Sequence, residues 1–96
     1  MDDKHLLNAR EIIADADRDM ARCFVRRMKA VREIAAYKQE HNLPILDASQ
    51  EQVVISRGLA CIGQDDLRHW YIPFIQNVIE ISRQYQCSLL KDTRTP

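Results

Sequence analysis

The sequence predicts an all-α protein of three helices: one very long, one short, and one of medium length kinked at a proline. Three observations carry that prediction. Only two glycines and three prolines interrupt the 96 residues. Alternating β-branched stretches of the kind that build half-buried strands are few. Residues 5–42 contain neither Gly nor Pro, and apolar residues recur along them at helical spacing.

Taken at alternating steps of four and three, that stretch yields Leu6, Arg10, Ile13, Asp17, Met20, Phe24, Arg27, Val31, Ile34 and Lys38. This is the seam of a helix about ten turns long, sustained over more than four heptads. At ~1.5 Å per residue it reaches on the order of 55 Å. A globule of this chain length is only about half that across, given a radius of gyration of ~13 Å. One chain cannot cover such a helix. The sequence therefore predicts a partner chain, most simply in a two-fold homodimer.

Asn42-Leu43-Pro44 ends the first helix, because Pro44 disfavours helical backbone in the residue before it. Asp47-Ala48-Ser49-Gln50 reads as a capping box, an Asp N-cap with Gln three residues on, and opens the second helix. That helix carries Val53, Val54 and Leu59 on its apolar face and fades from Gly58 to Gly63. Gln64-Asp65-Asp66 begins the third, with acidic residues where the helix dipole favours them. Pro73 falls inside it and removes a backbone bond, which predicts a short first piece followed by a kink or restart. From Pro73 to about Leu89 the apolar face reads Phe74, Ile75, Val78, Ile79, Ile81, Ser82 and Tyr85. The polar tail, Lys91 to Pro96, reads as frayed. With no internal repeat and no linker, residues 1–96 form a single helical domain.

Composition narrows the function. Lys and Arg number 14 against 14 Asp and Glu, so there is no basic surplus of the kind a nucleic-acid binder needs. No apolar run approaches the ~20 residues that span a bilayer. Met1-Asp2-Asp3-Lys4-His5 lacks the basic and apolar regions of a signal peptide, and a cytoplasmic location is expected. Cys23, Cys61 and Cys87 are odd in number, widely spaced and without a C-x-x-C pair, which suits structural thiols in that compartment. The three histidines have no metal-ligand spacing. Two glycines cannot build a phosphate cradle. Neither a metal nor a cofactor is expected.

The informative feature is charge where leucine would pack best. Arg10, Asp17, Arg27 and Lys38 all lie on the long seam. A single polar residue there can set register, as an Asn does in a coiled coil, and that reading stands for Asp17. Three cations are harder to absorb, since burying each without an anion would cost several kcal/mol. A bound dianion resolves the imbalance. Arg27 and Lys38 are eleven residues apart on one face, roughly 16 Å of rise, and can converge on a small molecule. Arg10 lies roughly 25 Å from Arg27 along the helix and cannot reach the same ligand from its own chain. In an antiparallel dimer crossing near residue 20, the partner's Arg10 would fall beside Arg27 and Lys38. Two equivalent cationic pockets then follow from symmetry.

The third helix offers Ser82 and Gln86, an i,i+4 polar pair continuing the Ile75/Ile79 stripe. The alternative is that both face water at the helix end. Glu51 fits either a ligand contact or an N-terminal acid favoured by the dipole. Trp70, Tyr71 and Tyr85 read as core or dimer packing ahead of ligand stacking.

In this order, these residues resemble the all-helical chorismate mutases, especially the small dimeric bacterial type. Leu6-Leu7-x-x-Arg10 looks like that family's opening, and Arg26-Arg27-Met28 resembles its central arginine segment. Tyr37-Lys38 and Pro44-x-x-Asp47-x-x-x-Glu51 look like its Lys, Pro, Asp and Glu series. Ile79-Glu80-Ile81-Ser82-x-x-x-Gln86 is similar to its closing motif. The likeness runs from about Leu6 to Gln86. It implies an intertwined homodimer of three-helix chains, each site borrowing an arginine from the other chain, acting on chorismate without a cofactor. It also implies roles. Arg27 and the partner's Arg10 clamp carboxylates, Lys38 and Gln86 donate to the ether oxygen, and Ser82 assists a carboxylate. Glu51, with the Asp47 region, accepts from the ring hydroxyl. One position departs: the family commonly has Arg immediately before this glutamate, and this chain has Gln50. An isochorismate-pyruvate lyase of the same fold and a non-catalytic helical dimerisation module are the alternative readings.

Overall fold

The computed structural model describes residues 3–94, and they form three helices: α1 (Asp3–Glu40), α2 (Ala48–Ala60) and α3 (Asp65–Arg94). No strand occurs among the described residues. The chain divides into two compact units, 1–30 and 31–96, so α1 contributes to both.

In the first unit the seam of α1 is uncovered. Leu6, Ile13, Met20 and Phe24 are all exposed in the single chain, and so is Ile12 off the seam at 69%. Ion pairs Arg18–Asp15 and Arg22–Asp19 lie along the same stretch, at i,i+3 spacing. Exposed pairs of that kind add only a few tenths of a kcal/mol each. Most helical stability comes from packing an apolar face, and here that face has no cover from its own chain.

The second unit holds the core. Val31 and Ala35 of α1 are buried, as are Ile75, Ile79 and Leu90 of α3. α1 stops two residues before the sequence reading placed its end. Asn42 adopts a left-handed backbone (φ 56°). The Leu43 amide donates to the Lys38 carbonyl at 2.8 Å, and the Asn42 amide to Gln39 at 3.3 Å. These two bonds make a Schellman cap, for which Asn is a tolerated C′ residue. The stop is set by this cap before the restriction from Pro44 applies.

α2 opens on Asp47 as expected. The Asp47 carboxylate accepts from the Gln50 amide at 3.1 Å and from Ser49 Oγ at 2.8 Å. Its carbonyl accepts from the Glu51 amide at 3.0 Å. At the other end Arg68 of α3 donates to the carbonyls of Leu59 (2.6 Å) and Ile62 (3.2 Å), tying the end of α2 and the turn after it to α3. α2 packs on α3 with Val54 and Leu59 of the expected face, but without Val53. Val54, Ile55, Gly58 and Leu59 are half-buried, while Val53 is 49% exposed. The reason lies at Gly58. A Cβ there would sit 2.5 Å from Tyr71 Oη and 2.7 Å from its ring, so Tyr71 reaches the α2 backbone only because the side chain is missing. That close approach helps fix the rotation of α2.

Gly58→Ala therefore sets two terms against each other. Alanine gains about 1 kcal/mol of helix propensity over glycine, and the Tyr71 ring must move. We expect the substitution to lower Tm in the native background. In a Tyr71→Ala background it should stabilise by about 1 kcal/mol, as read by thermal denaturation of the four proteins.

α3 corrects one of the two alternatives expected at Pro73, the restart. The helix runs from Asp65 to Arg94 without a restart, with Pro73 inside it. The proline removes one amide donor, at a cost the helix absorbs, and beyond it the stripe Ile75, Ile79, Ser82, Gln86 and Leu90 is buried. For Trp70, expected in the core or in dimer packing, the core alternative falls. At 72% exposure it is no core residue of the single chain, whereas Tyr71 packs against Phe74 with ring centroids 5.7 Å apart. Of the tail, residues 91–94 continue the helix. Thr95 and Pro96 lie outside the described residues, as do Met1 and Asp2 at the other end.

Candidate active site

Of the seven residues that the sequence singles out, five belong to the second unit: Lys38, Asp47, Glu51, Ser82 and Gln86. Arg27, half-buried, and Arg10, exposed, belong to the first.

Lys38 stands in the last turn of α1, where a cation also suits the helix dipole. It is half-buried, and its Nζ donates to the Ile45 carbonyl at 2.7 Å. With Leu43 bound to its own carbonyl, Lys38 ties the α1–α2 loop to the helix end at two points. An ammonium has three donors, so the Ile45 bond leaves capacity for a ligand.

Asp47 is the N-cap and is exposed. The Gln50 amide, the Ser49 hydroxyl and the nearby Lys38 charge hold its carboxyl below the ordinary aspartate range. A carboxyl depressed on folding stabilises the fold above its unfolded value, and that contribution is lost as pH falls through the folded one. Asn caps about as well as Asp. We expect Asp47→Asn to keep a near-native Tm at neutral pH and to lose less Tm than the native chain as pH falls below about 4. Thermal melts across that range check it.

Glu51 lies in the first turn of α2, half-buried, with Oε2 3.3 Å from Arg83 Nε. Arg83 also pairs with Glu80 on its own helix, and Gln84 Nε2 donates to Glu80 Oε1 at 3.2 Å. The Arg83 Nε–H is buried without an aligned hydrogen-bond acceptor despite the nearness of Glu51. The contact is thus an ion pair by distance and not a linear hydrogen bond.

Ser82 and Gln86 are the buried polar pair of α3, at 6% and 7% exposure. The reading in which both face water is thereby excluded. Ser82 Oγ donates to the Val78 carbonyl at 2.8 Å, the usual i−4 bond of a helical serine. Gln86 Oε1 is buried with no hydrogen-bond partner. Leaving such a group unpaired costs about 1–3 kcal/mol. The two ends of an amide are assigned from their surroundings, so the orphan end is either the oxygen or, with the amide turned over, the nitrogen. A buried amide end kept without a partner is what a ligand-contacting group looks like before the ligand arrives.

Sequence reasoning missed Arg83. Three residues after Glu80, it passes for half of a solvated pair, yet it shares a turn with Ser82 and Gln86, which was the available signal. Gln50, the departure from the family pattern, is exposed, and its amide serves the Asp47 cap.

A cleft of about 470 Å³ opens nearby, between Ile45 and Leu46 of the loop and Glu80, Arg83, Gln84, Cys87 and Ser88 of α3. Its wall on α3 lies about a third of a turn away from the Ser82/Gln86 face. None of the seven residues lines it. The orphan Gln86 amide, and not this cleft, marks the candidate site. Among the described residues no three His, Cys, Asp or Glu side chains cluster to hold a metal ion, and no helix is long and apolar enough to cross a membrane.

A family model described as chorismate mutase type II matches residues 9–87, more than four-fifths of the chain. The chain belongs to the type II chorismate mutase family. That family is all-helical, as this chain is, and its reaction is an isomerisation. All seven candidate residues of this chorismate mutase family member fall inside the matched span. No solved structure gives a significant match to the chain.

Proposed function

We propose that this chain is a chorismate mutase of aromatic amino-acid biosynthesis, acting in the cytoplasm and rearranging chorismate to prephenate. Residues 1–96 form its single domain, completed in a homodimer. The observation that carries the reading is the orphan amide of Gln86, buried beside Ser82, within a chain whose family match spans all seven candidate residues. The exposed seam of α1 supports the dimer, since Leu6, Ile13, Met20 and Phe24 need a cover that one chain lacks.

The reaction is pericyclic and intramolecular. The ether C–O bond breaks as a new C–C bond forms within one molecule, so no nucleophile, proton shuttle or cofactor is called for. A site for it has two tasks. It must hold a flexible dicarboxylate in the compact reactive conformer, and it must stabilise the partial negative charge that develops on the ether oxygen. Arg27 and Arg10 of the partner subunit clamp the carboxylates through their bidentate guanidinium forks. Lys38 and the Gln86 amide donate to the ether oxygen. Ser82 turns its hydroxyl from Val78 to a carboxylate, and Glu51 accepts from the ring hydroxyl, with Asp47 fixing the turn that presents it.

The test is purified protein with chorismate and isochorismate in parallel, following substrate loss and product. Prephenate from chorismate supports the proposal. Pyruvate released from isochorismate, with chorismate untouched, replaces it with the lyase. Turnover of neither substrate, with a folded dimer, leaves a dimerisation module.

A further inference from the structure

Arg83 is a cation paired with one candidate residue, Glu51, and its surroundings differ from those of an ordinary surface arginine. Its head is held from two helices: Nη2 by Glu80 of α3 and Nε, at 3.3 Å, by Glu51 of α2. The Nε–H is buried and lacks an aligned acceptor, so the guanidinium is kept in place by charge on both sides without its hydrogen bonds being completed. Glu51 is the more buried partner, with its side chain 24% exposed against 47% for Glu80. Screening by water is therefore weaker on the Glu51 side. A carboxylate can accept about four hydrogen bonds. Engaging Oε2 with Arg83 fixes the group's orientation and leaves acceptor capacity for a ligand hydroxyl.

We infer that Arg83 is a positioning residue: held between Glu80 and Glu51, it orients the Glu51 carboxylate toward substrate. The inference rests on the mutase reading above, in which Glu51 receives the ring hydroxyl. Arg83 acts through Glu51. A hydroxyl contact is present in both the ground state and the transition state, so losing its orientation weakens binding of both alike. Such a loss raises KM and leaves kcat nearly unchanged.

The test is steady-state kinetics on chorismate for the native protein, Arg83→Met, Arg83→Lys, Glu51→Gln and the Arg83→Met/Glu51→Gln pair, with a thermal melt of each. Methionine keeps the apolar stem and removes the charge. Arg83→Met should raise KM roughly tenfold with kcat within about twofold. Lysine restores a point charge but no fork, so Arg83→Lys should recover part of KM. In the Glu51→Gln background, Arg83→Met should move KM no further, because its only route to substrate is already gone. Should Arg83→Met fail to fold, Arg83→Lys carries the comparison in both backgrounds. A KM that stays native in a folded Arg83 variant overturns the inference and leaves Arg83 a strut between α2 and α3. So does a rise of the same size in both backgrounds. Native protein that leaves chorismate untouched overturns the mutase reading, and this inference with it.

Discussion

Lys38→Ala is expected to lower kcat by at least ~100-fold, the scale of one lost donor to charge developing in a transition state. The structure adds a complication that the variant must be read against. Nζ also donates to the Ile45 carbonyl, so alanine removes a charge and unties the α1–α2 loop together. Lys38→Gln separates the two effects. A glutamine can donate to the same carbonyl but carries no charge. If Lys38 serves the ether oxygen as a cation, Lys38→Gln keeps a near-native melt while kcat falls nearly as far as in Lys38→Ala. If the residue only anchors the loop, Lys38→Gln is close to native in both. Kinetics and circular dichroism melts on the two variants decide between these, and a near-native kcat in either removes Lys38 from the mechanism.

The architecture was legible because each helix announced itself by a local signal that packing did not override. The Gly/Pro-free run gave α1, the Asp47 cap gave the start of α2, and the Ile75/Ile79 stripe gave the inward face of α3 through Ser82 and Gln86. What could not be read depends on contacts between elements. Val53 and Val54 are equally apolar, and it is on the side of Val54, one turn from Gly58, that Tyr71 approaches α2. Pro73 carries the same local signal in a broken helix and in one that tolerates it, and here the helix runs on through it. Within the site, the burial of Ser82 and Gln86 selects between two readings that spacing left open. The Glu51–Arg83 pair joins residues 32 positions apart, beyond any local pattern. Arg10 and Arg27 stand differently. Their roles rest on periodicity and family likeness, and the decisive contact would be with another chain.

That contact can be tested by complementation. In the proposed arrangement Arg10 cannot serve the same ligand as Arg27 of its own chain, since roughly 25 Å of helix separates the two. Each pocket should then combine Arg10 of one chain with Arg27 and Lys38 of the other. Arg10→Ala and Lys38→Ala are each expected to be nearly inactive as homodimers, because every pocket lacks one group. In a mixed dimer the two lesions fall in one pocket and leave the other whole. Refolding equal amounts of the two variants together should give about half mixed dimers, each with one intact site, by random pairing under two-fold symmetry. Activity per chain should recover to about a quarter of the native value. If the dimer is intertwined as proposed, mixing the folded proteins without denaturation should recover nothing at first, because such chains exchange slowly. Native mass spectrometry of differentially tagged chains shows whether mixed dimers have formed. Mixed dimers without recovered activity mean that Arg10 and Lys38 do not meet across an interface, and the shared-site arrangement is then wrong even if each residue proves essential alone.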